Sequence, residues 1–291
     1  MPSATAGHGL VTFDTGTSRR VLDAIGNTPL VELRRVVPAG SARIIAKLES
    51  ANPTGSMKDR VARAMVERAA ADGRLPPGGT VVEYTAGTTG ISLALMCAAR
   101  GYKAHFVFSD AFSDEKRRTM RAYGAQLTDV VSDKKRITEQ LIKAMIAMAT
   151  EISRRPAPSQ CVGTAHSIHG AAHALRRHNP RLHVAGVEPA ESAVLSGKPS
   201  GSHQIEGIGI GFIPPLWRRE EVNEIFMVAS DEAKAMARRL AREEAIFAGT
   251  SSGANIVAAL QVAKQLGAGA TVGTIIIDSG LRYVSTDVFR T

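Results

Sequence analysis

The chain has 291 residues, of which 44% are hydrophobic and 22% are charged, and its formal net charge at pH 7 is +9. This size and composition predict a globular protein with one large domain or two smaller ones. The two cysteines, Cys97 and Cys161, lack metal-ligand spacing, so we expect neither a metal site nor a disulfide framework. Reduced cysteines fit a cytoplasmic location. Residues 1–18 are interpreted as a loose N-terminal arm, and the apolar run at residues 91–99 is too short to span a bilayer.

Three basic clusters carry much of the positive charge: Lys116-Arg117-Arg118, Lys134-Lys135-Arg136 and Arg176-Arg177. A nucleic-acid-binding surface has such clusters, but it interleaves them with aromatic side chains, which are scarce here. We therefore interpret the clusters as solvated helix faces and expect no nucleic-acid partner.

Strand-like and helix-like runs alternate along most of the chain. The predicted strands cover residues 44–48, 80–84, 104–108, 126–131, 182–187 and 272–277. The predicted helices cover residues 57–73, 89–100, 114–123, 136–152, 168–177, 231–247 and 252–266. This alternation predicts an α/β fold with parallel sheets covered by helices on both faces. Ligands of such sheets bind at the carboxyl ends of the strands, where several motifs lie.

The most informative motif is Asn52-Pro53-Thr54-Gly55-Ser56-Met57-Lys58-Asp59-Arg60, a loop that leads into a helix. Ser56 is the predicted N-cap, which places Lys58 in the first turn. The helix dipole and desolvation both lower the pKa of an amine there, and a neutral amine can condense with an aldehyde. A solvated first-turn lysine is the commoner alternative, and spacing alone does not exclude it.

Three further motifs stand at predicted turns into helices or in a loop. Thr85-Ala86-Gly87-Thr88-Thr89-Gly90 and Gly163-Thr164-Ala165-His166-Ser167 each present backbone N–H groups to an anion, although ordinary Gly-rich turns look similar. The pair Ser251-Ser252 is either a helix N-cap or part of a site. The Gly-rich stretch at residues 203–214 reads as a mobile loop.

Together these motifs resemble the cysteine synthase group of fold-type-II pyridoxal phosphate (PLP) enzymes. The segments Ile25-Gly26-Asn27-Thr28-Pro29-Leu30-Val31 and Asp278-Ser279-Gly280-Leu281-Arg282-Tyr283-Val284-Ser285-Thr286 resemble the opening and C-terminal signatures of that group. The resemblance implies a two-domain fold like the tryptophan synthase β subunit. Residues 59–151 would form a smaller, substrate-side domain, and residues 1–58 with 152–291 a larger, PLP-binding domain.

The resemblance also assigns roles to single residues. Lys58 would hold PLP as an internal aldimine and act as the catalytic base. The other cofactor-binding residues would be Thr88, Gly163, Thr164, Ala165, His166, Ser167 and Ser251. The substrate-binding residues would be Thr85, Ala86, Gly87, Thr89 and Gly207. The implied reaction is β-replacement on an amino acid such as O-acetylserine by a sulfur nucleophile, in a cytoplasmic homodimer.

The chain departs from the usual pattern of the group at several of these positions. Ala86 replaces a serine, Thr88 an asparagine and Glu206 a glutamine. Ala165 and His166 stand where glycines are usual, and a protonated His166 would add a charge-assisted bond to the phosphate. A dehydratase or desulfhydrase stays open as a second enzyme, and the departures make a non-catalytic PLP-fold protein a further alternative. A nucleic-acid binder, suggested only by the charge, comes last.

One segment of the usual pattern is absent. Only Cys161 and Val162 separate Gln160 from Gly163, where the group has a further strand and helix. A strand with its crossover helix and the next strand takes about 30 residues or more. The Pro-rich stretch at residues 154–159, which we interpret as the domain boundary, is a poor central strand. Either the unit is deleted, or the sequence joins residues that a longer chain separates.

Overall fold

The computed structural model describes residues 20–134, 136–154 and 166–290. The strands are β1 (Leu30–Leu33), β2 (Arg43–Leu48), β3 (Thr80–Tyr84), β4 (Lys103–Ser109), β5 (Gln126–Val130), β6 (Ala185–Pro189), β7 (Glu224–Val228) and β8 (Thr271–Ile276). The α-helices are α1 (Lys58–Ala71), α2 (Thr88–Arg100), α3 (Asp114–Ala122), α4 (Glu139–Arg154), α5 (His166–Arg176), α6 (Ser230–Glu243) and α7 (Thr250–Leu266). Within these ranges, no helix is both long enough and apolar enough to cross a membrane.

The strands form three separate sheets, in the orders β3-β4-β5, β1-β2-β8 and β6-β7. All pairings are parallel except that between β1 and β2. The predicted α/β fold with parallel sheets is therefore confirmed. Strands β1 and β7 were not predicted from the sequence, and β1 is a four-residue strand at a sheet edge. The division of the chain into two domains stays a prediction.

The sheet β3-β4-β5 has the larger apolar core. Its central strand β4 buries Phe106, Val107 and Phe108 in succession, so both faces of this strand are covered. Helix α2 packs on β3 and β4, whereas α4 packs on all three strands. Such coverage explains why β4 reads as a continuous apolar run rather than as an alternating one.

The other two sheets share helix α7. This helix packs on β2 and β8 and also contacts β6 and β7, while α6 packs along α7. The helices approach closely at Gly253, where a Cβ would lie 2.1 Å from the carbonyl oxygen of Ala233. A side chain at residue 253 would therefore force α6 away from α7.

Several predicted boundaries were wrong for identifiable reasons. Helix α4 begins at Glu139 and not at 136, because the Thr138 hydroxyl accepts the amide of Leu141 at 3.2 Å. Helix α6 ends at Glu243, where Ala245 adopts a left-handed backbone with φ 56°. The N-cap of α1 is Met57 rather than Ser56, although the Ser56 hydroxyl accepts the amide of Lys58 at 3.2 Å.

The contact at Gly253 generates a prediction about stability. We expect Gly253→Ala to lower the free energy of unfolding by about 1–3 kcal/mol, because the added methyl group overpacks the α6–α7 contact. The control is Gly170→Ala in α5, where a Cβ would meet nothing within 4 Å, so the variant should gain up to about 1 kcal/mol in helix propensity. Urea unfolding of both variants measures the difference, and equal stabilities would contradict this account of the contact.

Glu83 is a buried carboxylic acid on β3. It is 4% exposed, and its Oε2 has no hydrogen-bond partner among the described residues. Burial raises the pKa of Glu83 well above its ordinary value, and a hydrogen bond to the backbone of Tyr84 opposes this only in part. The folded state therefore favours the protonated acid, whereas the unfolded chain releases this proton at about pH 4.3.

This shift gives stability a pH dependence of known sign. Below pH of about 4.3 both states hold the proton, and above it only the folded state does, so stability falls as pH rises towards the folded pKa. We expect Glu83→Gln, which cannot ionise, to remove this decline and to stabilise the protein by about 1–3 kcal/mol at neutral pH. Urea unfolding at pH 5 and pH 8 tests this, and a gain that shrinks with rising pH would refute it.

Candidate active site

The loop before helix α1 holds Lys58 at the carboxyl end of strand β8. The amide of Met57 donates to the carbonyl oxygen of Ile277 at 2.9 Å, and the amide of Ser279 donates to that of Gly55 at 2.9 Å. The side chain of Arg282 also donates to the carbonyl oxygen of Thr54. These bonds join the start of α1 to the segment after β8, where ligands of parallel sheets bind.

The amine of Lys58 lies in an environment that favours its neutral form. The residue is half-buried, and no hydrogen bond or ion pair joins its Nζ to any part of the chain that the structure describes. Desolvation lowers the pKa of Lys58, while the nearby charge of Asp278 acts in the opposite direction and only partly offsets it. The pKa of Lys58 is therefore lowered overall, as the sequence predicts.

Asp278 faces Lys58 from the end of β8 and was missed as a site residue. It is 2% exposed, its Oδ2 accepts the hydroxyl of Tyr283 at 2.8 Å, and the hydroxyl of Thr88 lies 3.5 Å from the same oxygen. Burial raises the pKa of Asp278, and the charges of Lys116 and Arg282 oppose this rise. An acidic residue directly after the end of a predicted parallel strand was the signal that could have identified it.

The loop from Thr85 to Thr89 is ordered for anion binding. The Thr85 hydroxyl accepts the amides of Gly87 at 2.9 Å and Gly90 at 3.0 Å, so it holds the loop itself. Gly87 adopts φ 111°, a conformation that side chains disfavour. The amides of Thr88 and Thr89 begin α2 and have no protein acceptor within the described residues. These two N–H groups are available to a carboxylate, while Ala86 contributes no hydroxyl.

A buried ion pair lies beside this loop. Lys116 is 1% exposed, pairs with Glu206, and stands with its Nζ 4.5 Å from the centre of the Tyr283 ring. Its alkyl chain fills the space next to Gly87, where a Cβ would lie 2.5 Å from the lysine Cδ. The interpretation of Lys116 as part of a solvated basic face is therefore wrong. Its neighbours Arg117 and Arg118 form surface ion pairs with Asp129 and Asp114.

Ser251 lies in the first turn of α7. It is 3% exposed and its hydroxyl makes no hydrogen bond to another described residue, while the neighbouring Ser252 hydroxyl accepts the amide of Ile277 at 2.9 Å. The N-cap of α7 is Gly249, so neither serine is the cap. Gly207, in the loop next to Glu206, is exposed with φ 91°. Ser252 thus fixes α7 to β8, and the Ser251 hydroxyl remains available.

The predicted phosphate loop lies largely outside the described residues. This holds for Gly163, Thr164 and Ala165, and also for the side chain of His166. His166 begins α5, and Ser167 follows it as an exposed residue. The described side-chain hydrogen bonds, ion pairs and ring contacts of α5 join His169 and Arg176 to residues 217–223, and none of them reaches Lys58, Thr88 or Ser251.

The described groups fit PLP. An amine of lowered pKa can hold its aldehyde, a buried hydroxyl without a protein partner can face its ring nitrogen, and the free amides at the start of α2 can hold an amino-acid carboxylate. These groups come from the starts of α1, α7 and α2, respectively, and the segment after β8 contacts all three helix starts.

Comparison with known proteins gives consistent matches. The family model described as pyridoxal-phosphate dependent enzyme matches residues 21–158 and 148–278. A cysteine synthase of Staphylococcus aureus is 39% identical over 304 aligned positions, which cover 92% of this chain and 96% of the relative. The crystal structure of the cysteine synthase of Entamoeba histolytica is 32% identical with a TM-score of 0.85, covering 97% of this chain and 94% of that one. A hydrogen sulfide-producing enzyme of Fusobacterium nucleatum is 30% identical with a TM-score of 0.84, covering 92% of this chain and 100% of that one.

The alignments agree with a missing strand-and-helix unit. The family model matches in two pieces that meet at residues 148–158. Because 92% of 291 residues is about 268, about 36 of the 304 positions aligned with the S. aureus relative face no residue of this chain. A unit of about that length joins neighbouring parallel strands. In the described residues, β6-β7 and β1-β2-β8 are separate sheets.

The family assignment rests on agreement between the site and the matches. The model match spans most of the chain, and the S. aureus relative exceeds 30% identity over nearly its whole length. The motif that places Lys58 at the end of β8 lies within the matched residues. The chain belongs to the family of pyridoxal-phosphate dependent enzymes and, within it, to the cysteine synthase group.

Proposed function

We propose that this protein is a PLP-dependent cysteine synthase that replaces the β-substituent of an O-acetylserine-like amino acid with sulfur. The observation that carries the proposal is the position of Lys58, whose pKa is lowered by burial at the end of β8, next to the free amides of α2. Relatives named cysteine synthase, which align with nearly the whole chain, support the same reaction.

The proposal gives each site residue a role in binding. Lys58 holds the aldehyde of the cofactor, Thr88 faces its phenolic oxygen, and the neutral hydroxyl of Ser251 faces its ring nitrogen. The phosphate group is assigned to Gly163, Thr164, Ala165, His166 and Ser167. The substrate carboxylate is assigned to Thr85, Ala86, Gly87 and Thr89, with Gly207 at the mouth of the site. When bound, PLP supplies an electron sink for the α-carbon, which a neutral partner at the ring nitrogen keeps weak.

The reaction requires one base and two bond changes. The amine of Lys58, once released by the incoming amino acid, takes the α-proton. The β-carbon–oxygen bond breaks and acetate leaves, a sulfur nucleophile forms the new carbon–sulfur bond, and Lys58 returns the proton to the α-carbon. The charge of Asp278 opposes the loss of the proton from Lys58, so this carboxyl tunes the base.

The proposal extends to the organisation of the molecule. Residues 59–151 form the substrate-side domain, and the remainder forms the PLP-binding domain. The protein acts in the cytoplasm as a homodimer, as the family resemblance implies. Sedimentation of the purified protein would show the dimer.

Lys58 provides the direct test. Borohydride reduction should link the cofactor to the peptide that contains Lys58, as detected by mass spectrometry. Lys58→Ala should lose this link and at least about 10³-fold in turnover of O-acetylserine, because it lacks both the amine and the base. Lys103→Ala, an exposed lysine on β4, serves as the control. Full activity of Lys58→Ala, or a link at another lysine, would disprove the assignment.

A second candidate is a desulfhydrase or dehydratase, which releases pyruvate and ammonia in place of a replacement product. The similarity to the hydrogen sulfide-producing enzyme of F. nucleatum favours this alternative. With O-acetylserine and sulfide, we expect cysteine in an amount equal to the acetate released, and little pyruvate. Pyruvate that equals acetate would favour the second candidate. A cofactor absorbance band without any turnover would instead indicate a non-catalytic protein.

A further inference from the structure

A pocket of ≈ 330 Å³ adjoins the proposed substrate site. Its lining includes Lys134 and Arg136 from the segment after β5, together with Glu206, Thr250 and Tyr283. Tyr283 contacts Asp278, and Thr250 directly precedes Ser251, so the two sites share a wall. A second pocket of ≈ 250 Å³ shares Ile137 and Ser202 with it and extends the groove along the Gly-rich loop.

The uncompensated charges of the pocket are positive. Lys134 and Arg136 form no ion pair with a described residue. The two acidic side chains that line the pocket are already neutralised, because Glu206 pairs with Lys116 and Asp287 pairs with Lys234 at 2.6 Å. The other two ionisable side chains of the pocket add no charge at neutral pH, because burial lowers the pKa of His203 and raises the pKa of Tyr283 well above its ordinary value.

Two further features indicate a binding site. Thr250 is 1% exposed, and its hydroxyl, on the wall of the pocket, has no hydrogen-bond partner among the described residues. Lys134 adopts φ 50°, an uncommon conformation for a residue with a side chain that is found more often at functional positions. The pocket therefore offers two unpaired cations and has a buried, unpartnered hydroxyl in its wall.

The size of the pocket exceeds what sulfide requires. A hydrosulfide ion has one heavy atom, and a water molecule of similar size occupies about 30 Å³ in the liquid. We propose that the pocket binds the carboxylate of a larger sulfur nucleophile, so that the enzyme accepts thiols that carry an acidic group. This inference rests on the proposed function. The thiol loses its proton, its sulfur bonds to the β-carbon as a thioether, and acetate leaves with the oxygen.

The test compares two thiols that differ only in charge, 3-mercaptopropionate and its neutral amide, with O-acetylserine as the co-substrate. We expect kcat/KM per thiolate to be about tenfold higher for the acid, which corresponds to about 1.4 kcal/mol, because two unpaired cations attract its carboxylate. The variant Lys134→Gln/Arg136→Gln should lose this preference while its KM for O-acetylserine and its rate with sulfide stay unchanged.

A matched control removes the same charge elsewhere. Lys264→Gln/Arg68→Gln changes exposed residues on α7 and α1 and should retain the preference for the acid. Equal rates with the two thiols, or a preference that survives in the pocket variant, would overturn the inference while turnover with sulfide preserves the proposed function.

If O-acetylserine gives no turnover with any nucleophile, the proposed function fails. Calorimetric binding of 3-mercaptopropionate to the unaltered protein and the pocket variant then decides the inference, which falls if both bind equally.

Discussion

The backbone connection between the loop before α1 and the segment after β8 positions Lys58, the residue on which the proposed function depends. Two amide–carbonyl hydrogen bonds, Met57 to Ile277 and Ser279 to Gly55, fix the first turn of α1 against the end of a parallel strand. Because backbone groups make these two bonds, substitution of a neighbouring side chain does not remove them. The amine then takes its properties from burial and from Asp278.

A group of buried ionisable side chains surrounds this connection. Glu206 pairs with Lys116, Lys116 lies over the ring of Tyr283, and the hydroxyl of Tyr283 donates to Asp278. Burying two charges is costly unless they are paired, so each member depends on its neighbour. The carboxylate at residue 206, where the group usually has a glutamine, is matched here by the lysine that packs against Gly87. The loop at residues 85–90, the Gly-rich loop at residues 203–214 and the segment after β8 are thus joined through charge as well as packing.

Local patterns predicted the fold class, the Lys58 helix and the turn into α2, because each depends on residues that are close in the sequence. The roles of Asp278 and Lys116 could not be predicted in this way. Asp278 lies near Lys58 only because β8 pairs with β2 and the residue after β8 then forms a backbone bridge with Ser56. Lys116 belongs to a strongly polar segment, and its burial results from the approach of Glu206, 90 residues away along the chain. Strand β1 was missed because it is short and lies at an edge.

Helix α7 connects two sheets that share no hydrogen-bonded strands in the described part of the chain. The sheets β6-β7 and β1-β2-β8 therefore interact across this helix through packed side chains. Packed side chains can slide past one another, whereas the backbone hydrogen bonds between paired strands would have to break before the strands could move. The start of the same helix carries Ser251 and Thr250. Small changes in the tilt of α7 would therefore move the wall shared by the substrate site and the basic pocket, so that the two cavities would widen or narrow together.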